Sequence, residues 1–194
     1  MQNIKPLLGV ITVLLTFIGY APYIRDTLQE KTKPHVYTWF IWGIVTMIAY
    51  GLQVSGGAGV GSWVTLAVAL FTFLIFVLGI KMGGRKDITK SDTLFFLLSF
   101  VALFLWLIAK QPVLSVVLVS TIDLLGFVPT IRKSWNKPYS ETLFTYELNI
   151  LRHGLSLLTL QHYSIVTWLY PGSWVLANLF FSIMLIIKRG EINR

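Results

Sequence analysis

Seven mostly apolar stretches follow one another along this chain, at about 6–25, 36–54, 62–80, 93–109, 112–131, 141–160 and 172–188. A helix of ~20 such residues crosses the hydrocarbon core of a bilayer. A lipid-spanning helix also closes its own backbone hydrogen bonds, so the pattern restricts the chain to a helical bundle in a membrane. Composition agrees. Of the 194 residues, 55% are hydrophobic and 12% charged, against about a quarter charged in soluble domains. No A-x-A-like exit follows the first apolar stretch, which therefore reads as a spanning helix and not as a cleaved signal. The fold class read from the sequence is all-α integral membrane, with seven transmembrane helices.

Two of these helices end almost alike. Gly19-Tyr20-Ala21-Pro22-Tyr23-Ile24-Arg25 is followed by Lys33-Pro34 and Thr38. Gly126-Phe127-Val128-Pro129-Thr130-Ile131-Arg132 is followed by Lys137-Pro138 and Thr142. Ser62-Trp63-Val64 returns as Ser173-Trp174-Val175. The chain reads as a duplication, with a first three-helix repeat in 1–82, a linker helix in 83–110 and a second three-helix repeat in 111–194. The fourth apolar stretch, Thr93 to Ala109, matches neither copy. Three helices plus the linker make four crossings, so both copies enter the membrane in the same direction. The expectation is a pair of parallel three-helix-bundle repeats in a 3+1+3 plan. Proline-interrupted repeats in a membrane protein point to a binding site between them. Proline removes one helical hydrogen bond and crowds the preceding turn. Pro22 and Pro129, at matching depths, therefore read as a hinge or gate, with passive shaping of helix ends as the alternative.

The formal net charge of +8 is not a nucleic-acid signal, because the basic residues punctuate the apolar stretches. Arg25, Lys31 and Lys33 follow helix one, and Lys81, Arg85, Lys86 and Lys90 follow helix three. Arg132, Lys133 and Lys137 follow helix five, and Lys188, Arg189 and Arg194 form the tail. All fall on one side, and the other side carries only Lys5 and Lys110. The positive-inside rule then places the N-terminus outside and the C-terminus in the cytoplasm, as for a bacterial inner-membrane protein. Trp63, Trp168 and Trp174 fall at the outer boundary and Trp39 at the inner one, where indoles serve as interfacial anchors.

The repeated Gly-aromatic-x-Pro-x-Ile segment, the short basic loop and the helix opening with Thr carry a family resemblance. So do Ile48-Ala49-Tyr50-Gly51 in the first copy and Pro171 followed by Asn178 in the second. In these features the chain resembles the SWEET, SemiSWEET and PQ-loop group of small-solute transporters. The resemblance covers nearly everything but the fourth helix. It implies transport of a small polar, sugar-like solute by alternating access between two three-helix bundles. It also implies that Asn178 contacts the solute.

The polar residues inside the spans stand independently of that resemblance. Asp123 lies near the middle of helix five, where its repeat counterpart is Thr16. A carboxylate at such depth costs at least ~2.5–3.5 kcal/mol unless paired, protonated or hydrated. On helix six, Tyr146, Asn149, Arg152, His153 and Ser156 share one face, extended by Thr142 and Thr145. Arg152 is the basic residue deep in a span, so an Asp123–Arg152 ion pair is expected. That pair reads either as a static lock or as part of a substrate or proton site, the proton residing on Asp123 or His153. Helix two offers Trp39, Trp42, Thr46 and Tyr50 on one face. Trp42 matches Tyr146 by repeat position, so an aromatic clamp drawn from both copies is expected. The Asn178 amide suits a hydroxyl-rich ligand, or else an inter-helix hydrogen bond. The candidate substrate-binding set is Asn178, Trp42, Tyr146, Asn149, Arg152 and His153. Asp123 is the candidate for proton or ion coupling, and Pro22 and Pro129 for the gate. Glu147 lies off this face, with its role open between a neighbouring helix, the inner surface and a proton.

With no cysteine, neither a disulfide nor a thiolate metal site is available. No His, Cys and Asp cluster has metal-ligand spacing, and the glycine-rich run Ser55 to Gly61 joins two spans and does not follow a strand. No metal, no cofactor and no enzymatic activity are expected. The expected partners are a small polar solute, the lipid bilayer and protons as a coupling ion. Three other readings remain beside sugar-like transport. They are uptake of a vitamin precursor of the nicotinamide riboside type, proton-coupled amino-acid transport, and a non-transporting receptor like the KDEL receptor.

Overall fold

The computed structural model describes residues 4–30, 34, 36–83, 90–136, 138–140 and 143–192, without the side chains of 91, 92, 95, 128–130, 132, 133, 140 and 192. Among the described residues the chain is all-helical, with no strand. It comprises α1 (Lys5–Leu28), α2 (Val36–Ser55), α3 (Trp63–Lys81), α4 (Lys90–Leu107), α5 (Pro112–Asn136), α6 (Leu143–Thr159) and α7 (Ile165–Ile192). Short 3-10 turns at Gly59–Ser62 and Pro138–Ser140 precede α3 and α6. Four helical stretches are long and apolar enough to cross a membrane, namely Lys5–Leu28, Val36–Ser55, Gly59–Lys81 and Ile165–Glu191.

The distribution of side chains is that of a protein solvated by lipid. The outer surface carries Leu7, Leu14 and Phe17 on α1, Leu70 on α3, Leu97 and Phe104 on α4, Leu158 on α6, and Leu176 and Ile187 on α7, all exposed. The interior holds Thr16, Thr46, Gln53, Thr65, Thr72, Asp123, Arg152, His153 and Asn178, all buried. In water such a molecule would expose one continuous apolar surface, far larger than the few hundred Å² tolerated by soluble monomers. Surrounded by hydrocarbon, the same arrangement lets polar groups find each other inside.

The helices pack in an order that differs from their order in sequence. α3 packs against both α1 and α2, and α7 packs against both α5 and α6. Across the two groups α1 packs on α6, and α2 packs on α5. The linker α4 lies on α5 and α2. Glycines allow the cross-group approaches. A Cβ on Gly19 would lie 3.3 Å from the Leu148 side chain on α6, and one on Gly126 would lie 2.8 Å from Trp42 Nε1 on α2. These two glycines are the repeat-matched ones, so the duplicated position does the same steric work twice. Small residues at such seams are how membrane helices come close.

Three sequence expectations about helix ends need correction. The last helix begins at Ile165 and not near 172, and it carries Pro171 in its interior. α1 runs to Leu28 with Pro22 inside it, and α5 runs to Asn136 past Pro129. Arg25, Lys188 and Arg189 therefore sit on helical turns and not in loops. Cations near a helix C-terminus complement the exposed carbonyls there, which favours continuing the helix beyond the apolar run. Lys31, Lys33, Arg85, Lys86, Lys137, Thr142 and Arg194 lie outside the described residues, as do the side chains of Pro129, Arg132 and Lys133.

Pro171 also shows how the bundle satisfies its own backbone. It is buried, and its missing N–H leaves the carbonyl of Thr167 without a helical donor. Gln53 on α2 supplies one, its Nε2 donating to the Thr167 carbonyl at 3.2 Å. A neighbouring helix thereby replaces the hydrogen bond that proline removed, which is the condition for tolerating proline in lipid.

Candidate functional site

Between α1–α3 and α5–α7 lies a cavity of about 250 Å³, just under the ~300–1,000 Å³ usual for ligand sites. α1 contributes Tyr20 and Tyr23, α2 Trp39, Trp42 and Thr46, and α3 Thr72. Asp123 and Phe127 come from α5, and Tyr146, Asn149, Arg152 and His153 from α6. Tyr170, Trp174 and Asn178 complete the lining from α7. Every residue proposed from sequence for substrate binding or ion coupling therefore faces one space. Both halves of the chain line it, although among the described residues the second half supplies its carboxyl, guanidinium and imidazole groups.

Asp123 is held by α7. Tyr170 donates its hydroxyl to Asp123 Oδ2 at 2.6 Å, and Trp174 Nε1 donates to the same oxygen at 3.3 Å. With the Tyr170 proton committed to Asp123, Thr46 Oγ1 at 3.3 Å is the donor to the Tyr170 oxygen. The chain Thr46–Tyr170–Asp123–Trp174 thus joins α2, α5 and α7. Among the described residues no hydrogen bond reaches the other carboxylate oxygen of Asp123.

The expected Asp123–Arg152 ion pair does not form. α7 stands between α5 and α6, so the two helices that carry the charges are not the neighbours that chain order implied. Arg152 instead lies against α1, its guanidinium carbon 5.4 Å from the centre of the Tyr20 ring. It is 5% exposed, and its Nε has no acceptor. His153 beside it is buried with Nδ1 unpartnered. Asn149 Nδ2 donates to Asn178 Oδ1 at 3.2 Å, and Asn178 Nδ2 donates to the Trp174 carbonyl at 2.7 Å. The inter-helix hydrogen bond weighed for Asn178 forms, and it sits on the cavity wall.

Aromatic rings form the rest of the wall. Trp39 meets Trp42 edge-on at 5.6 Å and Tyr23 at 5.0 Å. Phe127 lies 5.9 Å from Tyr146 and 5.8 Å from Trp174. Trp42 and Tyr146 do present rings from both halves. Trp39 and Trp174, read from sequence as interfacial anchors, line the cavity instead. Trp63 and Trp168 are 38% and 42% exposed, as anchors should be. Tyr50 does not reach the cavity, and Glu147 is exposed on the outside of α6.

Sequence reading missed Tyr170, Trp174, Tyr20 and Tyr23 as wall residues. A signal for two of them was present. Tyr170, Trp174 and Asn178 recur every four residues, one helical face, but starting the helix after Pro171 severed the first from the others.

At one end of the bundle the loops of the two halves meet. Gln161 N donates to the Ala58 carbonyl at 3.0 Å, Ser156 Oγ to the Gly61 carbonyl at 3.2 Å, and Lys5 Nζ to the Leu160 carbonyl at 2.6 Å. Cβ atoms on Gly59 and Gly61 would meet the Gln161 side chain at 2.1 Å and the Leu160 backbone at 2.9 Å. The connections α2–α3 and α6–α7, which correspond by repeat, are thus pressed together. From this seal the lining runs to Tyr23 and Trp39 at the opposite end of the bundle.

Among the described residues no three His, Cys, Asp or Glu side chains gather as a metal site. No protein-family model matches the chain, and no curated protein or solved structure gives a significant match.

Proposed function

We propose that this chain is a seven-span transporter, built as two parallel three-helix repeats and a linker in the SWEET-like 3+1+3 plan. It moves a small polar solute by alternating access. The observation that carries the reading is the cavity between the two halves, lined by aromatic and polar side chains from both, with their corresponding loops in contact at one end of the bundle. Supporting it, the third helix of each triplet packs between the other two, and α1 on α6 is answered by α2 on α5. That reciprocity is what a two-fold axis along the membrane normal produces. On this reading α4, α5 and α6 cross the bilayer with the four more apolar stretches. With the N-terminus outside, the seal of Gly57 to Ser62 against Leu160 to Ser164 is the outer gate, and the state described is closed to the outside.

In this scheme Trp42, Tyr146, Asn149 and Asn178 contact the solute, and Asp123 is the coupling residue. Pro22 and Pro129 lie where α1 and α5 flex to open or close the inner end. The linker α4 acts as a spacer that restores the direction of the second repeat. The test is counterflow in proteoliposomes with a solute that stabilises the purified protein, since a ligand bound to the native state raises its melting temperature by mass action. Exchange of that solute supports transport. Stabilisation without exchange would instead support a receptor.

A further inference from the structure

Arg152 is the charge that the cavity leaves unanswered. A guanidinium stays protonated in any protein environment and presents donors in a planar fork. Burying it without an acceptor costs far more than burying a neutral amide. Arg152 is 5% exposed, its Nε has no acceptor, the rest of its fork lies against the neutral Tyr20 of α1, and among the described residues it forms no ion pair. The groups around it are otherwise engaged. Asn149 is bonded to Asn178, and Asp123, which lines the same cavity, is bonded to Tyr170 and Trp174 and forms no ion pair with Arg152. α1 offers the Tyr20 ring face at 5.4 Å, and a Cβ on Gly19 would be 4.0 Å from Arg152 Nη1. Neutral Tyr20 supplies no counter-charge, which leaves that charge to come from the contents of the cavity.

We infer that the solute carries a carboxylate, which docks on the fork of Arg152. This deepens the transport reading and rests on the cavity being the solute site. A carboxylate matches the fork with two parallel N–H···O bonds. A phosphate dianion does not fit, because among the described residues Arg152 is the only Lys or Arg lining the cavity and Asp123 opposes a second negative charge. The rings of Tyr20, Trp42 and Tyr146 favour a flat or apolar body behind the carboxylate. Charge then links the two ionisable sites. With Arg152 cationic and a carboxylate bound, neutrality requires one further positive charge beside Asp123. A monoanion would obtain it as a proton on Asp123, and a zwitterion would bring its own ammonium.

The experiment compares probes of one size and different charge. Purified full-length protein is melted with benzoate, its neutral isostere benzamide, and the zwitterion phenylglycine. A second set uses propionate, propionamide and alanine. Intrinsic fluorescence follows unfolding, since Trp39, Trp42 and Trp174 line the cavity. Carboxylate-bearing members should stabilise the protein and amides should not. Arg152→Gln should weaken the apparent affinity at least tenfold, with partial recovery in Arg152→Lys. The monoanions and the zwitterions decide between a proton and an ammonium as the balancing charge. Equal stabilisation by amide and carboxylate, no stabilisation by any carboxylate, or stabilisation untouched by Arg152→Gln would overturn the inference. If Arg152→Gln does not fold, the wild-type contrast between benzoate and benzamide still decides. The two readings fail separately. Amide binding removes the carboxylate site and leaves a solute cavity, whereas a bound carboxylate that shows no counterflow removes transport and leaves the site.

Discussion

Gln53→Met removes the donor that serves the Thr167 carbonyl while keeping side-chain length. Gln53 and Thr167 are both fully buried, and their bond is 3.2 Å long. Hydrogen bonds between helices in membrane proteins are worth ~0.6 kcal/mol on average and up to about 1.7. This one lies towards the upper end, because Pro171 denies the carbonyl any helical donor and stranding a buried group adds ~1–3 kcal/mol. Losing the unpartnered Gln53 Oε1 returns part of that cost. The net loss should be about 1–2 kcal/mol, or a fall of roughly 2–8 °C in Tm at ~2–4 °C per kcal/mol. The decisive step is the double-mutant cycle with Pro171→Ala, which restores an N–H one turn after Thr167. In that background Gln53→Met should cost little, giving a coupling of about 1 kcal/mol. Melts in detergent at matched protein concentration measure all four corners. An equal loss in both backgrounds would refute the claim that Gln53 replaces the bond removed by proline.

Asp123→Asn should fold, abolish uptake driven by a pH gradient and leave solute counterflow intact; full gradient-driven uptake would reduce the Tyr170–Asp123–Trp174 cluster to scaffold. Gly61→Val should loosen the seal, because its Cβ would stand 2.9 Å from the Leu160 backbone. A cysteine at Thr72 should then label faster with an impermeant reagent from the Gly57 side, and an unchanged rate would count against the seal. Replacing Pro22 and Pro129 together with alanine should slow counterflow without weakening binding, and unchanged exchange would leave them as passive residues. Single cysteines at Gly57 and Gly83 should label from opposite faces of intact cells; labelling from one face would contradict the seven-span topology.

Sequence made the helices and the wall of the cavity legible because both rest on period and on cost. Apolar runs of spanning length can only be helices in lipid, and polar residues at helical spacing, such as Tyr146, Asn149 and Arg152, share one face of their helix. What sequence could not show was which helices touch. Asp123 and Arg152 sit on consecutive helices, yet α7 packs between those helices, and the pairing expected from chain order was lost to packing order. Trp39 and Trp174 were misplaced for a related reason. Depth along a helix can be counted, but the direction in which an indole points depends on the neighbour. Pro171 was read as a helix boundary because the donor that lets the helix continue, Gln53, lies 114 residues away along the chain.

Alternating access through the cavity is tested most directly by locking the seal. A Cβ on Gly57 would lie 3.4 Å from the Cβ of His162, close to the ~3.5–4.5 Å of a disulfide. The chain contains no cysteine of its own, so Gly57→Cys with His162→Cys places one reducible bond across the gate. In proteoliposomes, oxidation should stop counterflow of a bound solute, dithiothreitol should restore it to the rate of the reduced double variant, and binding from the opposite face should persist throughout. Counterflow at full rate with the disulfide formed would mean that solute does not pass through this gate.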